Sequence, residues 1–211
     1  MKLYDYFRSS AAYRVRITLN LKGLSAEHVP VHLVRDGGEH RKAAFRSVNP
    51  QGLLPALELD DGTVLAQSLA ILEYLEETHP EPTLLPADPI ARAKVRAICQ
   101  MVACEIHPLN NLRTLQYLKN VLGHDQQTVN TWYTHWISEG FAAIDQVIGS
   151  DGYCFGGAVT LADACLVPQI FNAHRFNVDL SPYPNVAKVE AVCVGMEAFT
   201  KAHPSQQADA E

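Results

Sequence analysis

The spacing of apolar residues changes character near residue 84. Before that point, alternating and helical periods take turns; after it, only the helical period persists. Leu3 to Tyr6 is short and aromatic, as a buried strand would be. Ile17, Leu21 and Leu24 recur at i, i+4, i+7, which predicts a helix over Arg14 to Leu24 with Gly23 at its C-terminal end. Val29, Val31 and Leu33 alternate with His28, Pro30 and His32, a period of two, and Pro30 points to an edge strand. A loop follows at Arg35 to Gly38, then a short helix over Glu39 to Phe45. Leu57 and Leu59 precede Asp61-Gly62, and Val64 and Ala66 follow it, so an antiparallel hairpin is expected. Leu69 to Glu77 is again helical.

The order is β-α-β-α-β-β-α, a parallel βαβ unit joined to a hairpin and a closing helix. That is the thioredoxin-like order. Pro80, Pro82, Pro86 and Pro89 then crowd into a linker, and strand alternation stops. Asp88 suits a helix cap with Pro89 in first position. Val95, Ile98, Val102 and Ile106 carry the helix on, and Pro108 should kink or break it. A long amphipathic helix carries Val129, Trp132, Trp136, Ala143 and Val147. Thr160 and Asp163 have capping-box spacing before a further helix, which Pro168 should bend. A last helix is expected over Asn185 to Lys201, followed by a polar, disordered tail from Pro204 to Glu211. The expected fold is α/β plus all-α: a thioredoxin-like domain over 1–84 and an all-helical domain over 88–211.

Composition narrows the possible partners. The 211 residues carry a formal net charge of -6, with 47% hydrophobic and 19% charged residues. No basic run is present, which argues against nucleic acid and anionic membranes as partners. The N-terminus lacks a signal-peptide core, and no stretch is long and apolar enough to span a bilayer. The five cysteines are not paired as CxxC and read as reduced thiols of a cytoplasmic protein. No Cys/His set has ligand spacing, so no metal is expected.

Candidate chemistry gathers at breaks in the pattern. Arg8-Ser9-Ser10 lies between the first strand and the first helix. A hydroxyl there either caps the helix or stabilises an anion at its N-terminus. In Asn49-Pro50-Gln51-Gly52-Leu53-Leu54-Pro55, a cis bond before Pro55 would turn the backbone groups of Leu54 toward an extended peptide; a plain turn is the alternative. Gln67-Ser68 precedes a helix, with the same choice between cap and carboxylate site. His107 to Asn111 is polar beside a helix break, where side chains often satisfy freed backbone groups. Arg175, in a last helical turn, is either dipole-compatible surface or a carboxylate clamp.

Phe7-Arg8-Ser9-Ser10-Ala11-Ala12-Tyr13-Arg14-Val15-Arg16-Ile17 resembles the signature of zeta-class glutathione transferases, commonly SSCxxRVRI. Asn49 to Leu57, Gln67 to Ile71, Leu166 to Gln169, Arg175-Phe176 and Val178 to Pro184 resemble further segments of that class, in register along nearly the whole chain. The resemblance implies glutathione as cofactor, with Ser9 or Ser10 stabilising its thiolate. It implies that His40, Leu54, Gln67, Ser68, His107, Asn111 and Arg113 surround glutathione, and that Arg8 and Arg175 hold an acidic enedione substrate. The implied reaction is cis-to-trans isomerisation by reversible thiol addition, in a homodimer. A conjugating transferase and a non-catalytic binding module of the same fold are the alternatives. Ala11 stands where the signature has Cys, so no protein thiol serves at that position.

Overall fold

The chain enters its sheet at once. In this computed structural model, which describes residues 1–211, β1 (Lys2–Asp5) pairs parallel with β2 (Glu27–Pro30) and antiparallel with β3 (Ala56–Glu58). Strand β3 pairs antiparallel with β4 (Val64–Ala66), giving the order β2-β1-β3-β4. At the β2 edge, the missing N–H of Pro30 costs no ladder bond. The strand stops there, short of the expected Leu33. The reason is His32: its Nδ1 accepts from the N–H groups of Val34 and Arg35 at 3.1 and 2.6 Å and turns the backbone.

Helix α1 (Ser10–Leu21) begins ahead of its expected start, because Ser9 caps it by accepting from the N–H of Ala12. Gly23, at φ 65, closes its far end. The expected helix over Glu39 to Phe45 is instead a 3-10 turn, Glu39–Arg41, and a single turn, α2 (Ala43–Arg46). Helix α3 (Ser68–Thr78) follows β4. Every residue of α1 from Ser10 to Leu19 is buried, so its polar side chains need internal partners. Arg16 donates to the Asp5 carboxylate at 3.1 Å and to the carbonyls of Phe7 and Ala202 at 3.0 Å each. Lys22 pairs with Glu76 and donates to the Pro82 carbonyl.

These partners explain where the chain divides. One compact unit is Met1–Leu84 together with Gly195–Glu211; the other is Leu85–Val194. The all-helical stretch expected over 88–211 therefore differs from the structure at its end. The single last helix is two: α9 (Pro184–Cys193) and α10 (Glu197–Ala202). Phe199 and Ala202 of α10 are buried, and α10 packs on α1, where Asn20 donates to the Ala198 carbonyl at 2.9 Å. The tail is ordered rather than disordered, opening with a 3-10 turn at Pro204–Gln206.

In the second unit, α4 (Pro89–Gln100) starts on an Asp88 cap, with Pro89 in first position. It runs into a π-helical stretch, Met101–Ile106, and then α5 (His107–Asn110). The break expected at Pro108 is thus a change of pitch before it: proline has no N–H to continue the α ladder. Helices α6 (Leu112–Asn120), α7 (Gln126–Val147) and α8 (Leu161–Arg175), together with α9, complete the unit. The buried stripe of α7 is Val129, Tyr133, Ile137, Phe141 and Ile144, not the expected set; Ala143 and Val147 are exposed. Thr160 and Asp163 form the expected capping box, and α8 continues through Pro168. No helix is long and apolar enough to cross a membrane.

Candidate active site

The N-terminus of α1 is built from the turn after β1. The N–H of Ser9 donates to the Tyr6 carbonyl at 2.8 Å, and Ser9 Oγ accepts from the N–H of Ala12 at 3.2 Å. An accepting hydroxyl keeps its own hydrogen for a second partner, so capping and anion binding are compatible in Ser9. Ser10 is buried as the first residue of α1, whose leading N–H groups have no carbonyl within the helix. Arg8 is exposed. Its guanidinium donates to Tyr6 Oη at 2.7 and 3.2 Å and lies 4.9 Å from the centre of the Phe7 ring.

Three other candidates in this unit are neighbours. His40 is buried in the turn after β2, packed against Gly38. Burial, then the charges of Arg41 and Arg46, push its pKa below the ordinary histidine value, so it is neutral near pH 7. Its Nδ1 is buried without a well-formed hydrogen bond. The His40 carbonyl sits where a Cβ on Gly52 would come within 2.9 Å, which brings the Asn49–Pro55 loop alongside. The Leu54–Pro55 bond is cis, and the N–H and C=O of Leu54 are not engaged within the chain. Gln67 reaches back to that loop, its Nε2 donating to Gln51 Oε1 at 2.7 Å.

Gln67 itself sits at φ 70, ψ 116, a backbone conformation rare for any residue but glycine. Ser68 follows as the buried first residue of α3, and Arg14, 1% exposed on α1, donates from NH1 to Ser68 Oγ at 3.2 Å. That hydroxyl is thereby oriented to donate its own hydrogen, with a buried positive charge behind it. An anionic group at the α3 N-terminus meets both favourably.

The remaining candidates lie in the second unit. Asn111 caps α6, its Oδ1 accepting from the N–H of Arg113 at 3.1 Å, while its amide donates to His107 Nε2 at 3.3 Å. Helix α5 is tied to α7: Trp132 Nε1 donates to the Leu109 carbonyl at 2.8 Å and Asn110 Nδ2 to the Tyr133 carbonyl at 3.3 Å. The Arg113 residue is exposed on the first turn of α6. Tyr133 stacks on Phe176 with ring centres 3.5 Å apart. Arg175 lies 5.9 and 6.0 Å from the centres of the Phe176 and Phe171 rings, with NH1 3.4 Å from Asn172 Oδ1. A planar guanidinium beside two aromatic rings at an exposed helix end matches the geometry of a carboxylate.

Known proteins share this construction. Residues 3–83 match the family model of the glutathione S-transferase N-terminal domain, and residues 136–189 that of the C-terminal domain. A maleylacetoacetate isomerase of Pseudomonas aeruginosa is 49% identical over 209 residues, covering 99% of this chain and 98% of that protein. The chain belongs to the glutathione S-transferase family. Among solved structures of that family, the holo form of a bacterial zeta-class maleyl pyruvate isomerase superposes with a TM-score of 0.96 at 47% identity, covering all of both chains. A maleylacetoacetate isomerase of Methylobacterium extorquens AM1, solved with malonate and glutathione bound, gives 0.95 at 38% identity, again over all of both chains.

In this transferase, sequence reasoning overlooked the residues that support the candidates. Arg14 was visible within the RVR motif but carried no assigned role. Its signal is a charged residue one helical turn from Ser10, on a helix otherwise built of buried positions. Gln51, which steadies Gln67, and Tyr133, which joins α5 to the end of α8, had no signal beyond polarity or apolar spacing.

Proposed function

We propose that this chain is a glutathione-dependent cis–trans isomerase converting maleylacetoacetate to fumarylacetoacetate in aromatic amino-acid breakdown. The observation that carries the reading is its 49% identity, end to end, with a protein of that name. The open groups of the first unit suit a small peptide with two carboxylates. They are the Leu54 backbone and the α3 N-terminus with Ser68 and Arg14. When bound, glutathione supplies a thiol whose reversible addition to a conjugated double bond lets that bond rotate.

The chain's own residues then have distinct tasks. Ser9 and Ser10, with the α1 N-terminus, hold the thiol as its anion. His40, Leu54, Gln67 and Ser68 fix the peptide, with His107, Asn111 and Arg113 of the helical unit contributing to its binding. Arg8 and Arg175 hold the substrate carboxylates. In this assignment residues 1–84 carry most of the glutathione-binding residues together with Arg8, and the helical region over 88–211 carries Arg175. By resemblance to its family the protein works as a homodimer, which sedimentation analysis tests. A reducing cytoplasm suits five free thiols, one of them, Cys104, exposed.

A second reading is a maleylpyruvate isomerase, favoured by the 0.96 superposition. One assay series separates the readings. Purified protein with glutathione and maleylacetone should yield the trans isomer without net loss of thiol. A stable adduct would mark a conjugating transferase instead, and failure to bind glutathione a binding module. Comparing kcat/KM for maleylacetoacetate and maleylpyruvate decides between the two isomerases.

A further inference from the structure

The tail expected to be disordered makes specific contacts with two of the loops of the first unit that carry candidate ligand residues. We propose that Gln207–Glu211 is a strap that positions these loops, with Asp209 and Glu211 as positioning residues for glutathione. The inference rests on the glutathione reading above.

Gln207 anchors the strap, its Nε2 donating to the carbonyls of Lys201 and His203 at 2.9 Å each. Two residues on, Asp209 Oδ2 accepts from the N–H of Phe7 at 3.0 Å. Phe7 is buried and stands directly before Arg8-Ser9-Ser10. Its carbonyl is taken by Arg16, so Asp209 completes the backbone hydrogen bonding of Phe7, which lies inside the turn that the Ser9 N–H closes on the Tyr6 carbonyl. A buried N–H without a partner would be costly, and the turn would shift to find one.

Glu211 acts on the second loop. Its Oε1 accepts from Arg35 NH2 at 2.9 Å and lies 3.2 Å from His32 Nε2. Because His32 Nδ1 accepts from two backbone N–H groups, Nε2 carries the ring hydrogen and donates to the carboxylate. His32 passes the constraint on. Its N–H donates to Glu39 Oε2 at 2.7 Å and its carbonyl accepts from the N–H of Glu39 at 2.8 Å, the residue before His40. The His32 ring also meets the Tyr6 ring edge-on with centres 4.8 Å apart, which couples the two loops beneath the strap. Of the two contacts, the Asp209 bond reaches a buried backbone donor, whereas the Glu211 pairs are solvent-screened. Asp209 therefore has the larger effect.

The test compares the full chain with Asp209→Ala, Asp209→Asn and Glu211→Gln. Glutathione affinity is read by calorimetry, the bound thiol's pKa by thiolate absorbance, and folding by thermal melting. Asp209→Ala should weaken glutathione binding about tenfold, the scale of one lost buried hydrogen bond, and raise the thiol pKa. The kcat at saturating glutathione, measured at a pH where the bound thiol is ionised in both proteins, should stay within about twofold. Asp209→Asn keeps an acceptor for Phe7 and should recover most of the affinity, while Glu211→Gln should cost about twofold. Unchanged affinity in Asp209→Ala overturns the strap. So does an equal loss in the Ala and Asn variants that tracks a lower melting temperature. Should Asp209→Ala fail to fold, wild-type affinity in Glu211→Ala overturns the strap. A wild-type chain that does not bind glutathione at all overturns the underlying reading, and the strap with it.

Discussion

Gln67 holds a backbone conformation that costs about 1–3 kcal/mol in a residue with a Cβ. Gln67→Gly removes that cost at the expense of about 0.5–1 kcal/mol of extra unfolded-state freedom. The chain should gain about 1 kcal/mol in chemical denaturation while glutathione affinity falls, because the side chain that pairs with Gln51 is gone. Gln67→Ala keeps the strain and loses the affinity, so it should show no such gain. His40 makes a second single-residue prediction. Its folded pKa lies below the ordinary value of about 6.5, so the unfolded chain takes up a proton that the folded chain refuses. The stability from neutral His40 is complete above about pH 6.5 and is lost as the pH falls from there toward the folded value. Burial and the Arg16 charge push His203 the same way. Melting temperature should therefore drop on acidification, and His40→Gln should flatten part of that drop. At this scale the sequence revealed types better than partners. Ser9, Gln67 and Ser68 stand out because caps and breaks have local signals. Arg14 and Asp209 act across the fold, one on Ser68 and the other on Phe7, and no local pattern encodes such a pairing.

Helix starts were the most legible elements. Asp88 with Pro89, and Thr160 with Asp163, are capping pairs whose chemistry is complete within four residues, and both act as their spacing implies. Asp163 accepts from the N–H groups of Cys154 and Thr160 at 2.7 Å each, so Asp163→Ala should cost more than the roughly 1 kcal/mol of an ordinary cap. A loss of about 2–4 kcal/mol in urea unfolding is expected, against about 1 for Thr160→Ala. Helix pitch and faces were less legible. The stripe of α7 was misread because Trp132 and Trp136, though large, are only part-buried, and the core side follows Tyr133 and Ile137 instead. The π-helical stretch before α5 has no sequence signal of its own. Its fit depends on Gly140 of α7, where an added Cβ would overlap Cγ1 and Cδ1 of Ile106. Alanine in an unobstructed helix would gain about 1 kcal/mol over glycine. Gly140→Ala should instead lose about 1–3 kcal/mol through overpacking. Combined with Ile106→Ala it should lose less than the sum of the two single changes, since the truncation removes the overlap.

The order of strands and helices could be read from apolar rhythm together with the turn, cap and proline residues that interrupt it. The return of Gly195–Glu211 to the first unit could not, because it depends on Arg16, Tyr13 and Asn20 finding carbonyl partners far along the chain. This division frames the last prediction, on Arg175. The proposed substrate is a dianion near neutral pH, and the molecule itself carries a net charge of -6. General electrostatics therefore disfavours the substrate, so local cations must hold it. Those that serve the glutathione residues, such as Arg14 behind Ser68, are already committed in the first unit. In the second, Arg175 lies near two phenylalanine rings at the end of α8, with NH1 3.4 Å from Asn172 Oδ1. A planar guanidinium so placed can take a carboxylate through two parallel hydrogen bonds, which a lysine ammonium cannot reproduce. Arg175→Ala should raise KM for carboxylated substrates about tenfold or more, the loss expected of a charge-assisted pair. Arg175→Lys should restore only part of this, and glutathione affinity should stay unchanged. An uncharged enedione has no carboxylate to lose, so its kcat/KM should fall by no more than about twofold. Equal losses for charged and uncharged substrates would make Arg175 a support for the Phe176–Tyr133 stack. The carboxylate partner would then have to be Arg8 or Arg113, both exposed at helix starts and testable by the same pair of substrates.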